Sequence, residues 1–186
     1  MRINFIRHGM TEGNRLKRYI GTTDEPLCEE GISDLNKRSY PSCDRLIVSP
    51  MKRCIRTAEI IYPEMKYMIK EDLRECSFGR FENKNYLELN GDPDYQRWID
   101  SGGTLAFPEG ESPENFKNRS IQAFEECVCE LYEKDTVSFV VHGGTIMSVM
   151  EKYAVPKGNY YDFSIKNAEC LITEFDGKKI TIVEKI

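Results

Sequence analysis

A chain of 186 residues, 40% apolar and 31% charged, has enough material for one soluble domain with a real core. Its net charge of −5 argues against a general nucleic-acid binder, yet admits a small anionic substrate, because a local arginine cluster can oppose the overall sign. No run approaches the ~18 apolar residues of a bilayer span, and Arg7 and His8 interrupt the apolar stretch that a signal segment would need. The seven cysteines, odd in number and without a Cys-x-x-Cys pair, read as free thiols. A reducing cytosol is therefore the expected location, with no membrane partner.

Residues 2–7 read as the first strand, followed by a loop over 9–27. Glu29 to about Arg38 reads as a helix, and Asp44 to Val48 as a second strand. Ser49-Pro50 then opens a helix through Met51–Ile61, with serine as its expected cap and proline in its first turn. Lys66 to Ile69 is a short strand. Residues 75–110 read as an irregular, aromatic-rich segment, a lid or cap beside the sheet, with short helices near 84–89 and 92–100. Ser112-Pro113 starts a long helix to about Lys134, whose apolar face is drawn through Phe116, Ile121, Phe124, Val128 and Leu131. A strand at 137–141, a helix from Gly144 to Tyr153, and two strands at 169–175 and 179–184 joined by Asp176-Gly177 complete the chain. With no repeat or linker, residues 1–186 read as a single α/β domain, a three-layer sandwich whose mostly parallel sheet is flanked by helices.

Only two histidines occur, His8 and His142, and both end an apolar run and precede glycine. A single histidine at a strand end is more often structural, but two in matched frames point to joint use. Open α/β sheets bind ligands at such strand ends. Arg7 precedes His8, Arg53 lies one turn into the Ser49-Pro50 helix, and the amides of Gly143 and Gly144 follow His142 at a helix start. Guanidinium forks and a helix N-terminus both suit phosphate oxygens. One histidine can then act as nucleophile, and Glu75 is the candidate proton donor for the leaving oxygen.

Arg7-His8-Gly9 with Thr11 and Asn14 resembles the Arg-His-Gly-Glu-Thr-x-x-Asn signature of the histidine phosphatase superfamily, which has the phosphoglycerate mutase-like fold. Ser49-Pro50-Met51-Lys52-Arg53 with Thr57-Ala58, Leu73-Arg74-Glu75 with Phe78-Gly79, Gly110-Glu111-Ser112 with Arg119, and Val141-His142-Gly143-Gly144 resemble its other motifs, in family order. The resemblance implies that His8 forms a phosphohistidine, that Arg7, Arg53 and His142 clamp the phosphoryl oxygens with Asn14 assisting, and that Glu75 serves as acid and then base. It implies no cofactor and no metal. Met10, Met51 and Cys54 depart from the family pattern, and Arg80-Phe81-Glu82-Asn83 stands where acidic-Trp-Glu-Gly is frequent, without removing any of these groups.

The mutases of the superfamily carry an Arg-His-Tyr-Gly element that is absent here, which favours a phosphatase. Arg18-Tyr19-Ile20-Gly21 with Asp24, Pro26 and Leu27 resembles a loop of α-ribazole phosphatases and related small phosphatases. Thr11, Arg18, Gly21 and Gly143 are accordingly expected to bind substrate beside Asn14. The expected substrate is a small phosphorylated metabolite, with α-ribazole 5′-phosphate first among candidates and a broad-specificity phosphatase or a mutase as alternatives. Arg15, Lys17 and Arg18 either extend the positive field at the pocket mouth or form a solvated turn. Ser112 reads as a helix cap, and Glu111 with Arg119 as a structural pair. No cysteine has arginine six positions later, so a cysteine phosphatase is excluded, and two histidines are too few for a metallophosphatase. A non-catalytic phospholigand-binding protein is disfavoured by the presence of His8 and Glu75. The oligomeric state stays open, a homodimer being one option.

Overall fold

The computed structural model describes residues 1–131 and 134–186. In chain order, strand β1 (Arg2–Arg7) leads through the one-turn helix α1 (Glu12–Arg15) to α2 (Glu29–Lys37), β2 (Arg45–Val48), α3 (Lys52–Ile61) and the short β3 (Met68–Ile69). Helices α4 (Pro93–Asp100) and α5 (Pro113–Cys129) precede β4 (Thr136–Val141), α6 (Gly143–Tyr153) and β5 (Ala154–Val155), and the hairpin β6 (Cys170–Phe175) with β7 (Ile180–Lys185) ends the fold. The seven-stranded sheet has the order β3-β2-β4-β1-β6-β7-β5. β1, β2, β3 and β4 are parallel neighbours, while β6 runs antiparallel to β1 and β7.

The central strands are buried on both faces, as parallel strands covered by helices must be. Ile3 to Ile6 and Val137 to Val141 are buried without a break. On one face, Phe5, Val137, Phe139 and Val141 pack against Phe124 of α5 and Ile146 and Val149 of α6. The rings of Phe5 and Phe139 stack at 5.6 Å, with Phe124 at 5.8 Å from Phe5, so truncating any of them would cost about 3–5 kcal/mol. On the other face, Ile6, Val48 and Val140 pack against Cys54 and Ala58 of α3. These two apolar layers make the expected three-layer sandwich.

Register positions the site. Arg7 pairs with Val141 across β1 and β4, and Val48 pairs with Val140 across β2 and β4. The next residues, His8, His142 and Ser49, therefore emerge together at the carboxyl ends of three adjacent strands, the crevice where such sheets carry their ligands.

Several local expectations change. Ser49 does not cap α3: the helix begins at Lys52, its N-cap Met51 makes no side-chain bond, and Asp24 Oδ1 accepts the Lys52 amide at 2.8 Å instead. Residues 84–89 form turns rather than a helix, and the 66–69 strand shrinks to two residues. The 9–27 loop contains α1, capped by the Thr11 hydroxyl. Helix α5 starts with the expected Ser112 cap and ends at Cys129; of the stretch to Lys134, residues 132–133 lie outside the described residues. Its buried face is Phe116, Ser120, Ala123, Phe124 and Cys127. The expected Val128 and Leu131 are partly buried against the same core, but Ile121 is turned about 140° from Phe116 at 100° per residue, so Ser120 and Ala123 fill its place in the stripe. Among the described residues no helix is long and apolar enough to cross a membrane.

Candidate active site

His8 Nδ1 lies 2.7 Å from the Gly9 carbonyl oxygen, which can only accept. Nδ1 therefore carries the proton, and Nε2 keeps its lone pair. The turn is pinned from α3, where Thr57 accepts the Gly9 amide at 2.9 Å and donates to the Arg53 carbonyl at 2.6 Å. The His142 ring stands edge-on to His8, with centroids 5.2 Å apart. Its Nε2 is 2.7 Å from Ser49 Oγ and 3.6 Å from Cys54 Sγ. Burial, then the charges of Arg53 and Arg7, hold the His8 pKa well below the ordinary histidine value. Burial, Arg53, His8 and Arg7 act on His142 in the same direction. Both imidazoles are thus neutral at pH 7.

Arg53 is fully buried. Its Nη1 donates to the Thr23 carbonyl at 3.0 Å and its Nη2 to the Gly21 carbonyl at 2.9 Å. Arg7 Nη1 donates to the Ile165 carbonyl at 2.8 Å. The Nε of each arginine is buried and has no hydrogen-bond partner. Neither guanidinium forms a salt bridge among the described residues. Burying unpaired cations costs several kcal/mol each, a cost that an anionic ligand would offset.

Glu75 follows a short 3₁₀ turn at Glu71–Leu73. Its Oε1 accepts the Cys76 amide at 2.9 Å, and the Gly144 amide lies near enough to favour the charged carboxylate. Burial raises its pKa above the ordinary carboxylate value, against the pull of those amides and of Arg53 and Arg7. Gly144 is required here: an added Cβ would stand 2.8 Å from Glu75 Oε1 and 2.8 Å from the Phe116 ring. The start of α6 thus adds amide donors and a partial positive charge beside the two histidines.

The structure brings His8, His142, Arg7, Arg53, Glu75, Gly143 and Gly144 together. Of the remaining expected binding residues, Thr11, Asn14 and Arg18 make other contacts. Thr11 and Asn14 form a reciprocal capping box around α1, and Asn14 Oδ1 also accepts from Asn167. Gly21 serves the site through its carbonyl on Arg53. Arg18 is committed to Glu88, at 2.8 and 3.2 Å, and to Asn83 at 3.3 Å, while Arg15 pairs with Glu12, so these cations do not extend a free positive field. Glu111 and Arg119 form a two-pronged pair at 2.8 and 3.0 Å. Sequence reasoning missed Ser49 as the partner of His142, Thr57 as the anchor of the first histidine turn, Asn167, which donates to the His8 carbonyl at 3.0 Å, and Glu82. Ser49 and Thr57 stand in a recognised motif and Glu82 at the glutamate of the acidic-Trp-Glu-Gly element, whereas nothing local marks Asn167.

Arg7, Glu75, Gly143 and Gly144 open onto a cavity of about 640 Å³, walled by Tyr19, Phe78, Trp98, Phe107, Phe116 and Tyr160. Phe78, Trp98 and Phe107 of that wall come from the 75–110 segment, which has its own apolar cluster around Phe81, Leu89 and Phe107. Beside this cavity, at the strand ends, the two imidazoles, the two buried guanidinium groups and the carboxyl of raised pKa form a cluster whose chemistry suits a phosphate-bearing ligand. The chain matches the model of the histidine phosphatase superfamily (branch 1) over residues 3–185, and it belongs to that superfamily as a phosphatase. "Putative phosphoserine phosphatase 2" of Hydrogenobacter thermophilus is 27% identical over 192 residues, covering 98% of this chain and 93% of its own. "Probable phosphoglycerate mutase GpmB" of Proteus mirabilis is 29% identical over 151 residues, 77% of this chain and 70% of its own. The fold is that of the α-ribazole phosphatase from Shigella flexneri, with a TM-score of 0.85 at 22% identity over 98% of this chain and 95% of that one.

Proposed function

We propose that this phosphatase hydrolyses a small phosphomonoester through a phosphohistidine on His8, without using a metal ion. The observation that carries the reading is the pair of buried arginine Nε donors without acceptors beside a histidine whose Nε2 is free. His8 Nε2 attacks phosphorus and the ester P–O bond breaks. Glu75 gives its proton to the leaving oxygen. The Gly9 carbonyl supports the positive charge that develops on the His8 ring. The Glu75 carboxylate then takes a proton from water as that water attacks phosphorus, the N–P bond breaks, and inorganic phosphate leaves. Arg7, Arg53, His142 and the first amides of α6 stabilise the phosphoryl oxygens throughout, each such donor contributing about 3 kcal/mol.

The aromatic wall suits a flat or apolar leaving group better than a small zwitterion. α-Ribazole 5′-phosphate is therefore the first candidate, supported also by the resemblance of the 18–27 loop, from which Tyr19 packs 5.4 Å from Phe78 and 6.1 Å from Trp98. The test is phosphate release in EDTA from α-ribazole 5′-phosphate, 3-phosphoglycerate, sugar phosphates and p-nitrophenyl phosphate. Turnover should persist in EDTA, favour the aromatic leaving groups, and fall by at least ~10³ in His8→Ala. Loss of activity in EDTA, or full activity of His8→Ala, would overturn the mechanism. Equal turnover of all esters would replace α-ribazole phosphate with a generalist's range.

A further inference from the structure

Glu82 lies outside the catalytic cluster, yet its carboxylate gathers six donors from two separate segments. Oε1 accepts from the amides of Thr22 at 2.8 Å and Phe78 at 3.0 Å and from the Thr22 hydroxyl at 3.2 Å. Oε2 accepts from the amides of Gly21 at 3.1 Å and Thr23 at 3.4 Å and from the Thr23 hydroxyl at 2.8 Å. Burial opposes the charge, but the amides of Phe78, Thr22 and Gly21 and the Thr23 hydroxyl outweigh it and hold the Glu82 pKa below its ordinary value.

The carbonyls of the same short loop face the other way. Gly21 and Thr23 accept from the two terminal nitrogens of Arg53, at 2.9 and 3.0 Å. Residues 21–23 are thus gripped on the amide side by Glu82 and on the carbonyl side by Arg53. The grip has no slack at Gly21, where a Cβ would fall 1.8 Å from the Cys76 carbonyl oxygen. Asp24 ties the next residue of the loop to the first amide of α3, the helix that bears Arg53.

We propose that Glu82 is a positioning residue for Arg53: by fixing the 21–23 loop it holds both terminal nitrogens of the guanidinium and so directs Nε at the transferred phosphoryl group. The inference rests on the reading of this pocket as a phosphoryl-transfer site. It also makes the 75–110 segment, through Glu82, part of the phosphate clamp as well as the wall of the leaving-group cavity.

The experiment uses the full chain as wild type, Glu82→Ala, Glu82→Gln, Arg53→Lys and the Glu82→Ala/Arg53→Lys double variant. Orthovanadate binding is measured by calorimetry, and the arginine Nε–H signals by ¹⁵N NMR. Glu82→Ala should weaken orthovanadate by ~10-fold and shift or broaden the Arg53 signal while leaving that of Arg7 in place. In the Arg53→Lys background the same change should cost little, because the two residues act in series. Glu82→Gln keeps one acceptor oxygen but turns an amide NH₂ toward donors, so it should fall between, and it decides the question if Glu82→Ala does not fold. A folded Glu82 variant with an unmoved Arg53 signal and wild-type orthovanadate affinity, or fully additive losses, would overturn the proposal. A wild type that binds no orthovanadate, with the Arg53 signal still moved by Glu82→Ala, would keep the positioning role and overturn the phosphoryl-transfer reading instead.

Discussion

Glu75 shows how much chemistry one buried side chain draws from its surroundings. Burial favours its neutral form, while the amides of Cys76 and Gly144 and the two arginines favour the charged one. The balance leaves a carboxyl that holds its proton to higher pH than an exposed glutamate, as a donor to a leaving oxygen must. Glu75→Gln removes the transferable proton and keeps the shape. Its kcat should fall by ~10²–10⁴ on alkyl phosphates, whose alkoxide leaves only with a proton. On p-nitrophenyl phosphate the first step needs no proton, so the loss should be confined to dephosphorylation and appear as a burst followed by a slow steady state. Parallel rate measurements on the two ester classes check this, and equal losses without a burst would remove Glu75 from the acid role.

At the scale of elements, α6 and α3 carry the site because of where they begin. Helix α6 starts directly after His142, so its first residues meet Arg7 and Glu75. The two glycines there differ in tolerance. A Cβ on Gly143 would stand 3.4 Å from the Arg7 guanidinium, a contact the structure can accept, whereas one on Gly144 would stand 2.8 Å from both Glu75 Oε1 and the Phe116 ring. Gly143→Ala should therefore stay within about threefold of wild-type kcat/KM, while Gly144→Ala should lose ~10–100-fold by displacing Glu75 from its proposed role, with over-packing costing about 1–3 kcal/mol. Steady-state kinetics with thermal unfolding of both variants checks the contrast; a silent Gly144→Ala would break the assigned link between α6 and Glu75. The limits of local reading also show at this scale. Proline and serine before α3 look like a start signal, but Ser49 Oγ is 2.7 Å from His142 Nε2, so an acid from the preceding loop takes over the helix start. The face of α5 holds the expected Phe116, Phe124 and Val128 against the core, with Leu131 just past the helix end, but Ser120, Ala123 and Cys127 complete its buried stripe where Ile121 is expected.

For the whole molecule, two neutral histidines buried at the ends of central strands couple folding to pH. Their native pKa values lie below the ordinary ~6.5, so above that value neither state gains a proton and they add no pH dependence. As pH falls below ~6.5, the unfolded chain binds protons that the native protein refuses, and stability is lost. Tm in a phosphate-free buffer should therefore drop between pH 7 and pH 5.5, and His8→Asn should flatten that drop. Superimposable pH profiles for the two proteins would mean that His8 is not held neutral in the fold.

What the amino-acid sequence determined by itself is what short-range chemistry encodes. The apolar strands ending in His8 and His142, the glycines after them, the Ser112-Pro113 helix start and the Asp176-Gly177 hairpin all follow from patterns spanning a few residues, whereas Arg53, expected one turn into a helix opened at Ser49, is the second residue of α3. The parallel layered sheet follows from the same patterns, because alternating strands and helices have few ways to bury both faces. Tertiary structure alone decided which groups meet across long gaps: Ser49 with His142, Asn167 with the His8 carbonyl, Asp24 with the start of α3, and Glu82 with the loop that holds Arg53. Those contacts satisfy buried polar groups whose partners are set by strand register and loop packing, and no local pattern can specify a partner that the chain supplies from another strand or a distant loop.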